Sequence, residues 1–402
     1  MGRNATYNIL MYCHDTYGLG HIRRTMAIAE HLRAKNINIL ILTGSPIVGR
    51  FPFPEQIDFV RIPGMIKKTN EEYLPLSIKI NPQHALDIRK NIITSTAKAF
   101  QPQLFIVDKE PLGLKKEVLP TLQWLRRSLP RTKTVLGLRD IMDDAETTRQ
   151  DWRKKGVYEI LEDLYSEIWV YGIREFYDPI REYGISEGIG RKMHFTGYIP
   201  RKKPDEKAVE EIRREQGIRE NEKMVVVTTG GGGDGYPVVD MYLTMLESMT
   251  AGSHSIPFKS VLITGPFMPA GERKKISKRA KVLGIRVHRF YRFMEKLLAA
   301  ADLVVGMGGY NTVCEILTQE TPCLLIPREN PRKEQLIRAE VLHEKGLVDY
   351  IPLGSCSPAL LCREVFRILE NPQKNRNAVN LFQMTGFEIM TQRLESFRNN
   401  KV

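Results

Sequence analysis

Cysteine is scarce, and none of the five (Cys13, Cys314, Cys323, Cys356, Cys362) stands in a C-x-x-C pair. Buried, reduced thiols in a cytosolic chain are the expectation, not a disulfide framework. No apolar run approaches the roughly 20 residues that a membrane helix needs. No charged-then-apolar leader suggests export. There is no heptad pattern, low-complexity tract or short internal repeat. The G-x-x-x-x-G-K-[ST] loop of a P-loop ATPase is missing, as is a D-x-D metal-ligand pair near the glycine loops. The net charge of +13 is not accompanied by any nucleic-acid-binding motif.

What is present is a 402-residue chain of ordinary globular composition, 42% hydrophobic and 27% charged. That length suggests two or three domains. The basic excess is spread over both halves, which suits anionic small molecules or an anionic membrane surface. The basic clusters Arg126-Arg127, Arg153-Lys154-Lys155 and Arg201-Lys202-Lys203 read mainly as solvated faces.

Short apolar runs alternate with segments of helical spacing, a βαβ rhythm that implies parallel sheets. The first half predicts strands near 7–13, 37–42, 57–62, 104–107, 133–138, 168–171 and 193–196. Its helices are expected near 84–100, 116–128, 145–163 and 174–183, with a long loop inside 44–82. The second half predicts strands near 224–229, 260–264, 286–288, 303–305 and 323–326, and a last helix near 375–399. Gly197-Tyr198-Ile199-Pro200-Arg201-Lys202-Lys203-Pro204 is the linker between them.

Three glycine loops follow predicted strands. In Leu303–Glu315, Gly308 and Gly309 remove side chains where backbone must approach something closely. Asn311 or Thr312 is placed to cap the next helix, whose N-terminus attracts phosphate. Glu315 could accept hydrogen bonds from a ribose diol. Gly230–Gly233 are four successive glycines, costly in chain entropy, which suits N–H groups laid against a diphosphate. Gly18-Leu19-Gly20-His21 puts a histidine at a helix start, where the dipole disfavours its cationic form. A neutral imidazole is what a general base requires.

These loops are similar to those of nucleotide-sugar glycosyltransferases of the GT-B fold. Family 28 is the nearest resemblance; it includes the enzyme that adds N-acetylglucosamine to a lipid-linked peptidoglycan precursor. The resemblance rests on Ala301-Asp302-Leu303-Val304-Val305, Gly308-Gly309-x-x-Thr312-x-x-Glu315, Pro322-x-Leu324-Leu325-Ile326-Pro327 and Glu334-Gln335-x-x-x-Ala339. In the N-terminal half it rests on Gly18-Leu19-Gly20-His21 and Ala27-x-Ala29-x-x-Leu32.

The resemblance implies an α/β chain of two Rossmann-like domains with a cleft between them. Residues 1–197 would be the acceptor domain, 198–204 the linker, 205–370 the donor domain and 371–402 a helix crossing back. It implies that Gly231, Gly232, Gly308, Gly309 and Thr312 face the donor diphosphate. Glu315 would hold the ribose, and Glu334 and Gln335 the transferred sugar, where the family more often has two amides. Phe290–Met294 would border the nucleobase. Gly18 and Gly20 would shape the acceptor loop. His21 would be the base, or an acceptor contact. Asp108 would orient it, with Asp140 as rival. The donor would be a UDP-sugar, with no metal and no further cofactor. The acceptor would be lipid-linked or anionic, reached at the cytoplasmic face of a membrane. A nucleotide-sugar 2-epimerase and a non-catalytic nucleotide-sugar binder remain alternatives on the same residues.

Overall fold

A computed structural model describes residues 6–14, 20–50, 52–67, 73–252, 255–372, 382 and 384–399. The chain divides into two compact units. The first takes the chain through Asp140, then Ala145–Ile199, and the chain again from Thr385; the second takes Ile141–Asp144 and Pro200–Met384. Nothing in the sequence pattern signals that the four residues after Asp140 belong with the second unit.

Unit 1 is built on strands β1 (Tyr7–Cys13), β2 (Ile37–Thr43), β3 (Ile57–Arg61), β4 (Met65–Lys67), β5 (Tyr73–Pro75), β6 (Leu104–Asp108), β7 (Lys133–Arg139), β8 (Glu167–Tyr171) and β9 (Met193–Phe195). Its helices are α1 (Gly20–Leu32), α2 (Pro82–Phe100), α3 (Leu119–Ser128), α4 (Ala145–Lys155), α5 (Val157–Leu164), α6 (Pro179–Glu182) and α7 (Glu187–Gly190). Seven strands form one parallel sheet in the order β3-β2-β1-β6-β7-β8-β9. Such strands are covered on both faces and therefore read as continuous apolar runs; every residue of β6 is buried.

Unit 2 repeats the plan. Its elements are α8 (Glu206–Glu215), β10 (Lys223–Thr228), α9 (Tyr236–Ala251), β11 (Phe258–Ile263), α10 (Ala270–Val282), β12 (Arg286–His288), α11 (Met294–Ala299), β13 (Leu303–Gly306), α12 (Tyr310–Gln319), β14 (Cys323–Leu325), α13 (Glu334–Glu344), β15 (Asp349–Tyr350) and α14 (Pro358–Glu370). The parallel order is β12-β11-β10-β13-β14-β15. Val225, Val227, Leu303 and Val305 from the central strands pack with Tyr242 and Leu246 of α9 and Leu361 and Val365 of α14.

Three expectations need correction. The helix over 145–163 is two helices, because Gly156 at φ +68° breaks the turn. The helix over 174–183 shrinks to the single turn α6, which starts where Asp178 caps Ile180 N–H ahead of Pro179. The loop within 44–82 contains the antiparallel pair β4–β5. Among the described residues, no helix is long and apolar enough to cross a membrane.

The last helix, α15 (Gly386–Asn399), belongs to unit 1 and starts later than expected, since residues 382, 384 and 385 are not helical; residues 375–381 and 383 of the predicted helix lie outside the described residues. Phe387 stacks on His31 of α1 with centroids 4.3 Å apart. Arg393 pairs with the buried Glu167 of β8, Nε to Oε2 at 3.1 Å, and Trp169 Nε1 donates to the same carboxylate at 2.9 Å. Removing one partner of a buried ion pair leaves an uncompensated charge. Arg393→Met should therefore lower unfolding free energy by about 3 kcal/mol, read by urea titration, and should speed hydrogen exchange in α15 before the rest of unit 1.

Candidate functional site

An open parallel sheet has a crevice above the carboxyl ends of the two strands where the strand order reverses. Unit 1 reverses between β1 and β6, and unit 2 between β10 and β13. The loop of His14, the start of α1 and Asp108 follow β1 and β6. The loops at Gly230 and Gly308 follow β10 and β13. Of the sequence-predicted residues, Gly20, His21 and Asp108 thus lie at one switch point and Gly231, Gly232, Gly308, Gly309 and Thr312 at the other, whereas Asp140 follows β7, Phe290 follows β12 and Glu334 and Gln335 follow β14.

In unit 1, Gly20 and His21 open α1, while Gly18 lies outside the described residues. His21 Nδ1 meets Asp108 Oδ2 at 2.5 Å. Ionised Asp108 can only accept, so Nδ1 carries the proton and Nε2 keeps its lone pair. Arg24, three residues along the same helix and fully buried, donates to Asp108 Oδ1 from Nε at 3.0 Å and Nη2 at 2.6 Å. Burial alone would raise the Asp108 carboxyl, but Arg24 and His21 outweigh it and hold it well below the carboxylate range. Burial pushes His21 down to about 4; Asp108 pulls the other way, and Arg24 and Lys109 add to the fall. Asp140 instead accepts the Tyr198 hydroxyl at 3.1 Å.

The surroundings explain the geometry. Arg24 lies over the Tyr171 ring, 5.7 Å from its centroid. Tyr171 fits because its hydroxyl lies over Gly137 of β7, where a Cβ would stand 1.9 Å from the tyrosine oxygen. Asp108 itself ends β6 in a three-residue turn. Glu110 N–H donates to Asp108 O at 2.8 Å around Lys109, which is held at φ +67°. A lysine at the centre of such a turn is strained, and strain of this kind persists where surrounding structure over-determines it.

In unit 2, Gly230–Gly233 do not form a loose loop. Gly232, at φ +85°, packs so tightly that a Cβ would stand 2.0 Å from the Thr264 carbonyl. Gly230 is exposed, with the Thr312 hydroxyl 3.6 Å from where its Cβ would be. Gly230, Gly232 and Gly235 also fall at G-x-G-x-x-G spacing, a phosphate-loop signal. β11, however, is followed by Thr264 and Gly265, with no carboxylate to bind a nicotinamide ribose.

Gly309, not Asn311 or Thr312, is the N-cap residue of α12, and no side chain caps it. Asn311 Oδ1 accepts from Arg201 Nη2 at 2.8 Å instead. Nothing lies within 4 Å of a Cβ built on Gly309, so the helix mouth has room in front of it. The fully buried Arg338 of α13 donates to the Gly308 carbonyl at 3.0 Å. Across a trans peptide the next N–H points the opposite way, so Arg338 turns the Gly309 N–H away from itself. Glu315 is buried on α12, three residues beyond Thr312 and therefore on the same face.

At the start of α13, Glu334 Oε1 pairs with Arg328 Nη2 at 2.5 Å, and Arg328 Nη1 also bonds Asp234 of the glycine loop. Gln335 Oε1 accepts from Arg328 N–H at 3.2 Å. A pocket of about 500 Å³ opens beside this bridge, its wall including Asp234, Arg328 and Asn330. Phe290 and Phe293, after β12, are about 40% exposed. Arg24, Arg328 and Arg338 were not singled out from the sequence. For two of them a signal existed: Arg24 lies three residues after His21, and Arg338 sits on the buried face with Gln335, Ala339 and Leu342.

The family description "Glycosyltransferase family 28 C-terminal domain" matches residues 225–392. An uncharacterised glycosyltransferase of Methanopyrus kandleri is 25% identical over 183 residues, 45% of this chain and 48% of that protein. The UDP-N-acetylglucosamine–N-acetylmuramyl-(pentapeptide) pyrophosphoryl-undecaprenol N-acetylglucosamine transferase of Acetivibrio thermocellus is 26% identical over 204 residues, 50% of this chain and 54% of that protein. The chain thus spans about half the length of the curated relatives it matches. The crystal structure of Acinetobacter baumannii MurG superposes with a TM-score of 0.59 at 14% identity, covering 97% of this chain and 99% of that one, a likeness of fold.

Two outcomes follow from this geometry. Gly232→Ala should lower unfolding free energy by about 3 kcal/mol or more. Gly309→Ala should leave stability within about 0.5 kcal/mol, both read by urea titration. The second concerns pH. Burial pushes His14 down to about 3 and His21 to about 4, against 6.5 for the free side chain. Between those values the unfolded chain binds more protons, so stability falls as pH drops below about 6.5. Each such histidine adds about 1.4 kcal/mol per pH unit to that slope. Urea titrations from pH 7 to 4.5 should show His21→Gln losing about that much of it. Asp108, depressed in the folded state, acts the same way only below the range of a free carboxyl.

Proposed function

We propose that this chain, whose residues 225–392 match the family 28 glycosyltransferase domain and whose fold is like that of GT-B enzymes, is a glycosyltransferase that moves a hexose or N-acetylhexosamine from a UDP-sugar to an acceptor hydroxyl. The observation that carries this reading is the pairing of a neutral histidine held by Asp108 at one switch point with an open helix mouth at the other.

In this reading unit 2 holds the donor. The N–H groups at the start of α12 and of the Gly230–Gly233 loop meet the diphosphate, and their preorganised dipoles stabilise its growing charge without a metal. Glu315 binds the ribose. Glu334 and Gln335 bind the sugar, with Arg328 neutralising the carboxylate that stands where an amide is more usual. The exposed Phe290 and Phe293 border the base. Unit 1 supplies the chemistry at the acceptor. His21 Nε2 takes the proton of the attacking hydroxyl, Asp108 stabilises the imidazolium, and the oxygen displaces UDP with inversion at the anomeric carbon.

The acceptor is lipid-linked or anionic, and the enzyme works at the cytoplasmic face of a membrane. Support comes from the relatives' printed acceptor, a pyrophosphoryl-undecaprenol, from the net charge of +13 and from the exposed Leu76, Ile78 and Ile88 of unit 1.

The experiment incubates the full chain with a panel of UDP-sugars and follows UDP release and product configuration. His21→Asn should retain UDP binding and lose transfer by about 10²–10⁴-fold. Glu315→Ala should weaken UDP at least tenfold. Epimerised UDP-sugar in the absence of acceptor, or donor binding with no UDP release under any condition, would overturn the transferase.

A further inference from the structure

Asp108 is not the only buried carboxylate behind a histidine in unit 1. The side chains of Arg89 and Glu117 are fully buried and form a two-pronged pair, Nε to Oε2 at 2.6 Å and Nη2 to Oε1 at 2.5 Å. Arg89 Nη1 donates in addition to the Pro63 carbonyl at 2.5 Å. Removing two charges from water in this way is seldom favourable in itself, so the pair is best understood through what it positions. Glu117 Oε1 accepts the Tyr12 hydroxyl at 2.5 Å.

That bond commits the only hydrogen Tyr12 has to give. Its oxygen can then only accept from its other neighbours, which are Leu114 N–H at 3.3 Å and His14 Nδ1 at 3.4 Å. The proton of His14 is therefore on Nδ1, and Nε2 keeps the lone pair. Two relays now run side by side. Arg24–Asp108 fixes His21, and Arg89–Glu117–Tyr12 fixes His14. The two imidazoles meet edge to face, centroids 5.8 Å apart, at the carboxyl end of β1. Both are set in the same tautomer.

We propose that His14 is a second acceptor-binding residue, whose Nε2 takes a hydrogen bond from a donor group beside the hydroxyl that His21 deprotonates. The proposal rests on the transferase reading above and gives it a substrate class. The acceptor presents two neighbouring hydrogen-bond donors, a vicinal diol or a hydroxyl next to an amide N–H. A carboxylate or phosphate at that spot would face two lone pairs, so any anionic group of the acceptor lies further from the attacking oxygen. Tyr12 is a positioning residue, because it acts only through His14.

The test uses the full chain with ¹⁵N-histidine and three probes: methyl β-D-glucopyranoside, trans-cyclohexane-1,2-diol and cyclohexanol. Both histidines should show the Nδ1–H tautomer at pH 7. The glucoside and the diol should shift the Nε2 resonances of His14 and His21 together, and cyclohexanol that of one histidine only. Tyr12→Phe should raise the Nε2–H fraction of His14 and weaken its response, with UDP affinity unchanged within twofold. His14→Phe, which keeps a flat ring against His21, should raise the KM for methyl β-D-glucopyranoside at least tenfold with a smaller change in kcat.

An Nε2–H tautomer of His14 in the unmodified protein would overturn the proposal. So would silence of His14 towards both the glucoside and the diol, or an unchanged KM in His14→Phe. The two readings fail separately. Paired shifts without transfer from any UDP-sugar would remove the transferase and leave diol binding. Transfer that is indifferent to His14→Phe would do the reverse.

Discussion

A parallel sheet must send its crossovers to both faces, and where they part company the carboxyl ends of two strands lie open. The rest of this structure depends on that constraint being met twice. Between β1 and β6 the opening is furnished with side chains, and between β10 and β13 with bare backbone. The difference matters physically. A helix N-terminus and a glycine loop present N–H dipoles that cannot titrate and need no counter-ion. An imidazole and a carboxylate titrate, and burying them demands partners. The proposed diphosphate site of unit 2 therefore does not titrate, whereas unit 1 carries the acid-sensitive part.

The partners in unit 1 are arginines. Arg24 and Arg89 are both fully buried, and each gives two hydrogen bonds to one carboxylate. Sharing Asp108 between Arg24 and His21 has an effect that a simple dyad lacks. Arg24 and His21 together keep the carboxylate ionised, while burial, with Arg24 and Lys109 adding to it, keeps His21 neutral against the pull of Asp108. For the proposed transfer this keeps the base ready, at the expense of some stabilisation of its protonated form. The strained Lys109 turn next to Asp108 fits the same picture of a site held by its surroundings and not by local preference.

Much of the fold was legible because parallel strands are uniformly apolar. Tyr7–Cys13 and the runs at Leu104 and Leu303 fall where the pattern puts them. The split of the helix expected over 145–163 has a plain cause, namely that helical spacing does not report backbone sign. Nothing in periodicity shows that Gly156 takes φ +68°. The glycine loops were visible as loops, but their reasons were mixed. Gly309 does stand in open space, whereas Gly232 is glycine chiefly because Thr264 leaves no room. Asn311 was a fair cap by residue type, and the contact with Arg201 was not visible from local sequence. The buried arginines were hidden by habit, since a charged residue is read as solvent-facing. His14 was hidden because its partners Glu117 and Arg89 are remote in sequence and meet only through α2, α3 and β1.

The two histidines also bear on why the polar network is so deep. A surface imidazole could accept a proton equally well, but it would be hydrated, it would exchange tautomers, and its open nitrogen would vary. Tying each Nδ1 to a buried acceptor removes that freedom before any ligand arrives. Asp108 is then fixed directly by the Arg24 guanidinium, and Tyr12 through Glu117 by that of Arg89. The charge burial in unit 1 thus serves orientation more than stability. In the proposed site, geometry is set three residues back from the ligand at Arg24 and four back at Arg89, by groups that never touch it.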